Sequence, residues 1–415
     1  MALPLPKNTR IKLINALSDA IYSASVFAGA HINPFSVKLA AVQSAIQPGS
    51  PLDQSLCEFL GEKHVTTFIQ SELRSLSIAK HNLKTKRQDF STMFTRSHAE
   101  SISKDLITAF ESLPWNYDFL IEVPGFGPGE FTMRDGVRKL SPSIRLVSGT
   151  QLKSERNQGV APNALASLTP LDPNWNELGI YAQISVSGYL PKDLQSETMQ
   201  SAHEQIFSLF GLLIALDILE TDYLWINGSS ARNVISILQI TEKTSYHFAD
   251  SDLDSAYQEL ANDLGYGPRF IEAIESTDGG DTLLKEVEKA LTRSVDKRLC
   301  NAARWFFDSH AGNNDQVKFV QVMIAFEILL GDEKMGRETG LSTLLANRCA
   351  YMIGATSHQR SRIISDFKEG YDIRSRIVHA GANRLTHSEK VKFRHMQRLC
   401  ALVIRHEVKA LSEIP

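Results

Sequence analysis

Cysteine is scarce, four in 415 residues, and Cys57, Cys300, Cys349 and Cys400 stand far apart with no CxxC pair and no Cys/His ligand spacing. That usage argues against a disulfide framework or a zinc cluster and is expected of thiols kept reduced in a cytosol. Long apolar runs are missing as well. The most apolar window, residues 206–220, is interrupted by Ser208, Gly211 and Asp217 and falls short of the ~20 residues that span a bilayer, so a core helix is expected and no membrane contact. The opening MALPLPKNTRIKL has no basic start followed by an apolar stretch, so no secretory signal is expected and the location is read as cytoplasmic. HExxH, GxSxG and clustered metal ligands do not occur, and neither a metal nor a cofactor is expected. Gly125-Phe126-Gly127-Pro128-Gly129 is followed by no Lys-Ser or Lys-Thr pair and no helix start, which makes it a hairpin turn rather than a phosphate loop.

What is present is an uneven charge distribution. The net charge is -3, yet from Leu291 onward 20 Lys+Arg stand against 13 Asp+Glu, leaving an acidic remainder. A basic C-terminal third on an acidic body suits a polyanion handled by that third. The length exceeds the roughly 250–300 residues at which single cores split, so two domains are expected, a mixed α/β one over 1–280 and an all-α one over 281–415.

Within the first, helical spacing dominates to about residue 115, with helices from Asn8, from Asn33-Pro34, over 60–78 and over 97–112. The basic run Lys80, Lys84, Lys86 and Arg87 reads as a solvated helix end or loop, the alternative being a contact with nucleic acid. Over 116–280 the period changes: residues 119–123, 131–133, 144–147 and 232–241 read as strands. Ile180-Ala182-Ile184-Val186 alternating with Tyr181-Gln183-Ser185-Ser187 predicts a strand with one dry and one wet face. Residues 150–175 read as a long loop or insertion. After Gly279-Gly280 the pattern is helical throughout. Leu284 to Phe306 traces one long helix, Asn313-Asn314-Asp315 caps a second, a third runs over 341–353, Ser357 caps a fourth, and Thr386 with Glu389 forms a capping box for a fifth, in an antiparallel bundle.

The fourth helix carries the chemistry. Ile363, Ile364, Phe367, Tyr371, Ile373, Ile377 and Val378 form its apolar stripe, and Arg374 falls in the middle of it. A guanidinium is costly to bury unpaired, and Glu327 interrupts the most apolar helix of the chain, so the two are expected to pair, with Arg304 and Arg348 as rival partners. Ser375 and His379, spaced i, i+4, sit at the stripe's edge beside a helix end. An imidazole that titrates near neutrality takes up a proton, and an adjacent arginine stabilises charge developing on phosphate oxygens. Five helical residues rotate by about 140°, so Arg374 and His379 of one chain share no narrow face. Lys390, Lys392, Arg394, Arg398, Arg405 and Lys409 are expected to decorate the outer faces of the fifth helix, and His387, His395 and His406 read as solvated residues of the same basic surface.

Tyr371-Asp372-Ile373-Arg374-Ser375-Arg376-Ile377-Val378-His379-Ala380-Gly381 resembles the arginine, polar residue, three residues, histidine signature of HEPN domains, in particular the Apea-like group. Arg304-Trp305-Phe306 and Ala325-Phe326-Glu327-Ile328-Leu329-Leu330-Gly331 resemble that group's other landmarks, in the same order. The resemblance covers roughly residues 281–415. It implies a helical-bundle fold and a metal-independent endoribonuclease with Arg374, His379 and Ser375 as catalytic residues and Glu327 supporting them. It further implies attack by the RNA 2'-hydroxyl, single-stranded loops such as tRNA anticodon loops as targets, and a homodimer with a composite site. Antiphage abortive infection follows from the same resemblance, with a phage-derived trigger or inhibitor and a sensing or regulatory N-terminal domain. Arg376, Arg384, Lys390 and Arg394 are the expected RNA contacts. The alternative is a non-catalytic HEPN dimer that binds RNA or nucleotide, or an interaction scaffold.

Overall fold

The helical spacing of Leu13, Leu17 and Ile21 produces α1 (Lys7–Tyr22), the first element of a computed structural model that describes residues 5–78, 87–127, 129, 133–155, 175–221, 234–242, 244–275, 280–293, 297–332, 334–336, 340–380 and 384–413. Val26, which continues the helical spacing of Leu13, Leu17 and Ile21, lies instead in β1 (Ser25–Phe27), which pairs antiparallel with β2 (His31–Ile32) and β3 (Gln88–Asp89). Asn33-Pro34 starts only a 3-10 turn, because the Asn33 side chain accepts from Phe35 N at 3.2 Å and the chain is extended again at Val37. After α2 (Ala40–Gln43) comes α3 (Pro51–Leu60), and the helix expected over 60–78 is the shorter α4 (His64–Ser75). They part at Gly61, whose φ of +74° ends the first as a C-terminal glycine does. With α5 (Phe90–Met93) and α6 (Arg96–Glu111) these helices enclose an apolar core that runs from Leu5 to Leu113 and takes in Tyr189.

The sheet follows. β4 (Trp115–Glu122), β5 (Val137–Lys139), β6 (Ile144–Ser148), β7 (Ile180–Gly188), β9 (Val234–Ile240) and β10 (Ser245–Asp252) pair antiparallel in the order β10-β9-β4-β7-β6-β5, with β8 (Leu219–Glu220) outside it. Tyr117, Phe119 and Ile121 of β4, Ala182 and Ile184 of β7, and Ile235 and Ile237 of β9 share the face that packs on helix α8 (Glu197–Ala215). The expected wet face of β7 is wet only at Ser185 and Ser187. Tyr181 and Gln183 are buried, because Trp175 meets Tyr181 edge-on at 5.0 Å and Leu152 of α7 (Gly149–Glu155) covers the same side. Residues 131–132 of an expected strand, residues 156–174 and the basic residues Lys80, Lys84 and Lys86 lie outside the described residues. Arg87, the last of that basic run, donates to Ser25 Oγ at 2.9 Å.

α9 (Ser255–Asp263), β11 (Gly265–Tyr266), paired with β8, and α10 (Pro268–Ile274) lead into the helical half. The single long helix expected over 284–306 is broken into α11 (Asp281–Arg293) and α12 (Arg298–Asp308), with Lys297 left-handed at φ +56°. The break lets Leu284 and Val287 face one neighbour while Leu299, Ala302 and Phe306 turn onto α8. α13 (Asp315–Leu330), capped by Asn314, is buried on several sides, and α14 (Leu341–Ile353), α15 (Ser357–Ala380) and α16 (His387–Glu413) complete the chain. The cap of α15 is Thr356 rather than Ser357: its hydroxyl accepts from Gln359 N, and the Gln359 side chain accepts from Thr356 N in return. Thr386 and Glu389 close the expected capping box of α16. α15 and α16 run antiparallel, with Asp366 meeting Lys392 and Arg376 meeting Glu389, whereas Asp315–Lys390 and Phe319–Phe393 step in the same sense along α13 and α16. The architecture is thus α+β, sheet-rich in its first half and helical in its second. Among the described residues no helix is long and apolar enough to cross a membrane.

One apolar cluster runs from Tyr117 through α8 and α12 to Val408. α8 joins its two parts: Ile206, Leu209, Leu212 and Leu213 are fully or almost fully buried between sheet and α12, and a Cβ on Gly211 would run into the Ala303 carbonyl. Gly211→Ala should therefore force α8 off α12 and lower stability by about 1–3 kcal/mol, the usual cost of overpacking. Urea unfolding checks this, and an unchanged midpoint would mean the two backbones are not in contact.

Candidate active site

α15 is a long helix pinned on one side. Phe367 and Ile373 are buried, Phe367 meets Phe326 of α13 edge-on at 4.9 Å, and Gly370 allows Met396 of α16 to close in. Asp366 accepts from Lys392 Nζ at 2.8 Å and bonds His395 Nε2 at 3.1 Å. Lys392 and His395, expected to decorate a solvated surface, are thus half-buried seam residues. Burial works against the Asp366 charge, but the bonds from Lys392 and His395 outweigh it and hold the carboxyl below its ordinary value.

Arg374 reaches Glu327 of α13, with Nη2 3.3 Å from Oε1, and the two side chains keep 21% and 24% of their exposure. The rival arginines are engaged elsewhere. Arg304 donates to Glu204 at 2.6 Å, and Arg348 donates to the Leu330 carbonyl at 2.8 Å at the end of α13. The pair is a contact of charges without a directed hydrogen bond, because Glu327 Oε1 and Arg374 Nε are both buried with no hydrogen-bond partner. The Tyr371 ring lies 5.8 Å from the guanidinium carbon, and burial, then the Glu327 charge, pushes the Tyr371 hydroxyl upward. A neighbouring phosphate oxygen would meet a cation already oriented by a carboxylate and an aromatic face.

Ser375 is half-buried beside Arg374, and His379 is exposed on the last turn of α15. The helix stays regular to Ala380, so no unwinding at Val378 swings the imidazole round to Arg374. The two motif residues are offset by about 140° and about 7.5 Å of rise. Val378, expected in the apolar stripe, is 47% exposed, because the stripe drifts off the core at this end of α15. The turn at Gly381-Ala382-Asn383 lies outside the described residues.

The four expected RNA contacts separate. Arg376 is exposed and ion-paired with Glu389, which the bond from Thr386 N and then Arg376 hold below its ordinary pKa. Arg384 is exposed beside Asn313, Asn314 and Gln316 at a shallow recess that also takes in Lys390. Lys390 and Arg394 line a cleft of about 800 Å³ between α16, the start of α13, α9 and β8, and Lys390 pairs with Asp315 at 2.7 Å. Five cations of that cleft, Lys318, Lys390, Arg394, Arg398 and Arg405, face five carboxylates, among them Glu220, Glu259 and Asp263. The cleft is therefore close to electroneutral rather than a bare positive groove.

A second cluster escaped the sequence reading. Asp53 and Cys57 sit i, i+4 on α3, and His64 opens α4, so the three ligand atoms lie within 4.8 Å of one another. The spacing Asp-x3-Cys followed by a histidine was the available signal. Its hydrogen bonds do not favour a metal. His64 Nδ1 accepts from Val65 N at 3.0 Å while Nε2 lies 2.7 Å from Asp53 Oδ1, which makes the ring a neutral Nε2–H donor. A metal on Nε2 would leave that imidazole with no proton at all, so the cluster serves as a hydrogen-bonded corner between α3 and α4.

No family model matches the chain, and neither a curated protein nor a solved structure does.

Two outcomes follow from the ion pairs. Glu327→Ala strands the Arg374 guanidinium and should cost about 1–2 kcal/mol, between the values for exposed and buried pairs, and part of it should return in the Glu327→Ala/Arg374→Ala double variant. Additive losses in the double-mutant cycle would show that the pair contributes nothing. The lowered Asp366 pKa contributes stability that is present above the unfolded value of 3.8 and fades as pH falls through the folded one. Asp366→Asn should thus destabilise at neutral pH, and the gap to wild type should close below about pH 4 in thermal melts.

Proposed function

We propose that the protein is a metal-independent endoribonuclease of the HEPN type, working as a homodimer whose active site is assembled from the ends of two α15 helices. The observation that carries this reading is the end of α15 itself: an arginine held by Glu327, and an exposed histidine one and a half turns on that cannot reach it within the same chain. A second copy approaching around the exposed Val378 and Val391, at 47% and 57% exposure, would bring His379 of one chain toward Arg374 of the other and cover both apolar side chains.

In such a site His379 removes the proton from the ribose 2'-hydroxyl. The alkoxide attacks the adjacent phosphorus, the bond to the 5'-oxygen breaks, the His379 imidazolium returns its proton to that departing oxygen, and a 2',3'-cyclic phosphate and a 5'-hydroxyl remain. Arg374 stabilises the charge that gathers on the phosphate oxygens, and Ser375 donates to the same group. Single-stranded loops are the favoured substrates, since unstacked nucleotides can reach the in-line geometry. Arg384 holds a flanking phosphate. Antiphage abortive infection, with the N-terminal half sensing a trigger or restraining the nuclease, is the role in which such an activity fits.

One observation favours a binding-only alternative: Arg374 and Arg376 are each already matched by a carboxylate, so the motif cations can serve structure alone. The readings separate by expression. Wild type should arrest growth, while Arg374→Ala and His379→Ala, folded and dimeric, should not. Mixing the two inactive variants in equal amounts should restore about a quarter of the activity, because half the dimers are mixed and each of those rebuilds one intact site. Absence of any cleavage of total RNA by wild type leaves the binding-only dimer. Cleavage without rescue on mixing rules out the composite site.

A further inference from the structure

A separate cavity of about 370 Å³ opens at the seam between the two halves, where the start of α8, α9 and α12 meet. Its wall is a run of near-parallel rings. His203 stacks on Phe207 at 5.7 Å and 10°, and Phe207 stacks on Tyr257 at 4.3 Å and 24°. Into this wall are set polar groups of both kinds. His203 Nε2 is buried with no hydrogen-bond partner. Asp308, 7% exposed, accepts from the Tyr257 hydroxyl at 3.1 Å. Arg304 pairs with Glu204 at the rim.

Each feature narrows the occupant. An anion would meet two carboxylates against one guanidinium that is already paired. An aliphatic molecule would leave the polar groups of a largely dry wall without partners. Burial lowers the His203 pKa, so the ring is neutral and Nε2 can either donate or accept. Burial likewise raises the Asp308 carboxyl, although the Tyr257 bond opposes it. A flat ring suits a wall of flat rings, and pockets of a few hundred Å³ hold small organic ligands.

We propose that this cavity binds a nucleobase or nucleoside, a planar nitrogen heterocycle that lies along the Phe207–Tyr257 stack and presents its donor and acceptor edge to His203 and Asp308. The site is independent of the ribonuclease reading. It is built largely on α8 and α12, the two helices that join the sheet to the helical half, so an occupant would brace that joint.

Calorimetry and thermal melting of the full chain with adenosine, guanosine, cytidine and uridine test the assignment. At least one nucleoside should bind once per chain and raise the melting temperature. His203→Phe, which keeps the ring stack, and Asp308→Asn, which keeps the shape and an acceptor for Tyr257, should each weaken binding at least tenfold. Gln195→Trp, at an exposed position on the rim, should block entry with the unliganded melting temperature unchanged. Binding no tighter than millimolar for all four nucleosides, or equal binding by wild type and the three variants, overturns the proposal.

Discussion

The double-sided burial of α8 is the constraint on which the rest of the fold depends. A helix apolar on nearly every face has to be enclosed, and here the antiparallel sheet covers one side while α12 covers the other. The approach to α12 is close enough that only glycine fits at position 211. Because α12 leads through the Asn314 cap into α13, the placement of Glu327 is inherited from that contact, and with it the placement of Arg374. The sheet and the candidate site therefore belong to one packing problem. The helices of the first hundred residues solve theirs around a separate core that touches the sheet through Trp115 and Tyr189.

Helix periodicity constrains the site as firmly as packing does. Were α15 to fray before Val378, the histidine would be free to fold back toward the arginine. It continues regularly to Ala380, held by Asp366, Gly370 and Arg376 against α16, and the Glu327 contact fixes the direction of the guanidinium. Rigidity of this kind prevents an internal Arg–His contact, and it also presents both groups in fixed positions to whatever approaches the helix end. A preorganised cation needs no reorganisation when charge develops beside it.

Much of this was legible in the residues. The Glu327–Arg374 pair follows from two charged side chains placed where apolar ones belong, and the Thr386–Glu389 box and the Asn314 cap follow from local hydrogen-bonding chemistry. What escaped has physical reasons. Leu284 to Phe306 keeps an unbroken helical spacing, yet the chain turns at Lys297 because its two ends pack on different neighbours, and periodicity carries no information about neighbours. Tyr181 and Gln183 have the alternation of a wet face, but Trp175 covers them from another part of the chain. Gly61 was a stop signal in plain view, yet the helix expected from Leu60 ran across it, whereas Leu60 ends α3 and the next helix opens at His64. Lys392 and His395 looked like surface decoration because their partner, Asp366, lies on a different helix.

The excess positive charge of the C-terminal third has a different meaning in three dimensions from the one its composition suggests. Several of its cations are matched by carboxylates: Lys390 with Asp315, Arg376 with Glu389, Lys392 with Asp366 and Glu369. Others reach into the first half of the chain, where Arg405 pairs with Asp217 and Arg304 with Glu204. The asymmetry between halves thus acts partly as attraction between them, and the cleft along α16 carries as many acids as bases. A polyanion has little to gain from a groove whose field is cancelled locally. What sets the end of α15 apart from that cleft is therefore not bare charge, since Arg374 and Arg376 are paired as well, but an exposed imidazole near an arginine already oriented by Glu327.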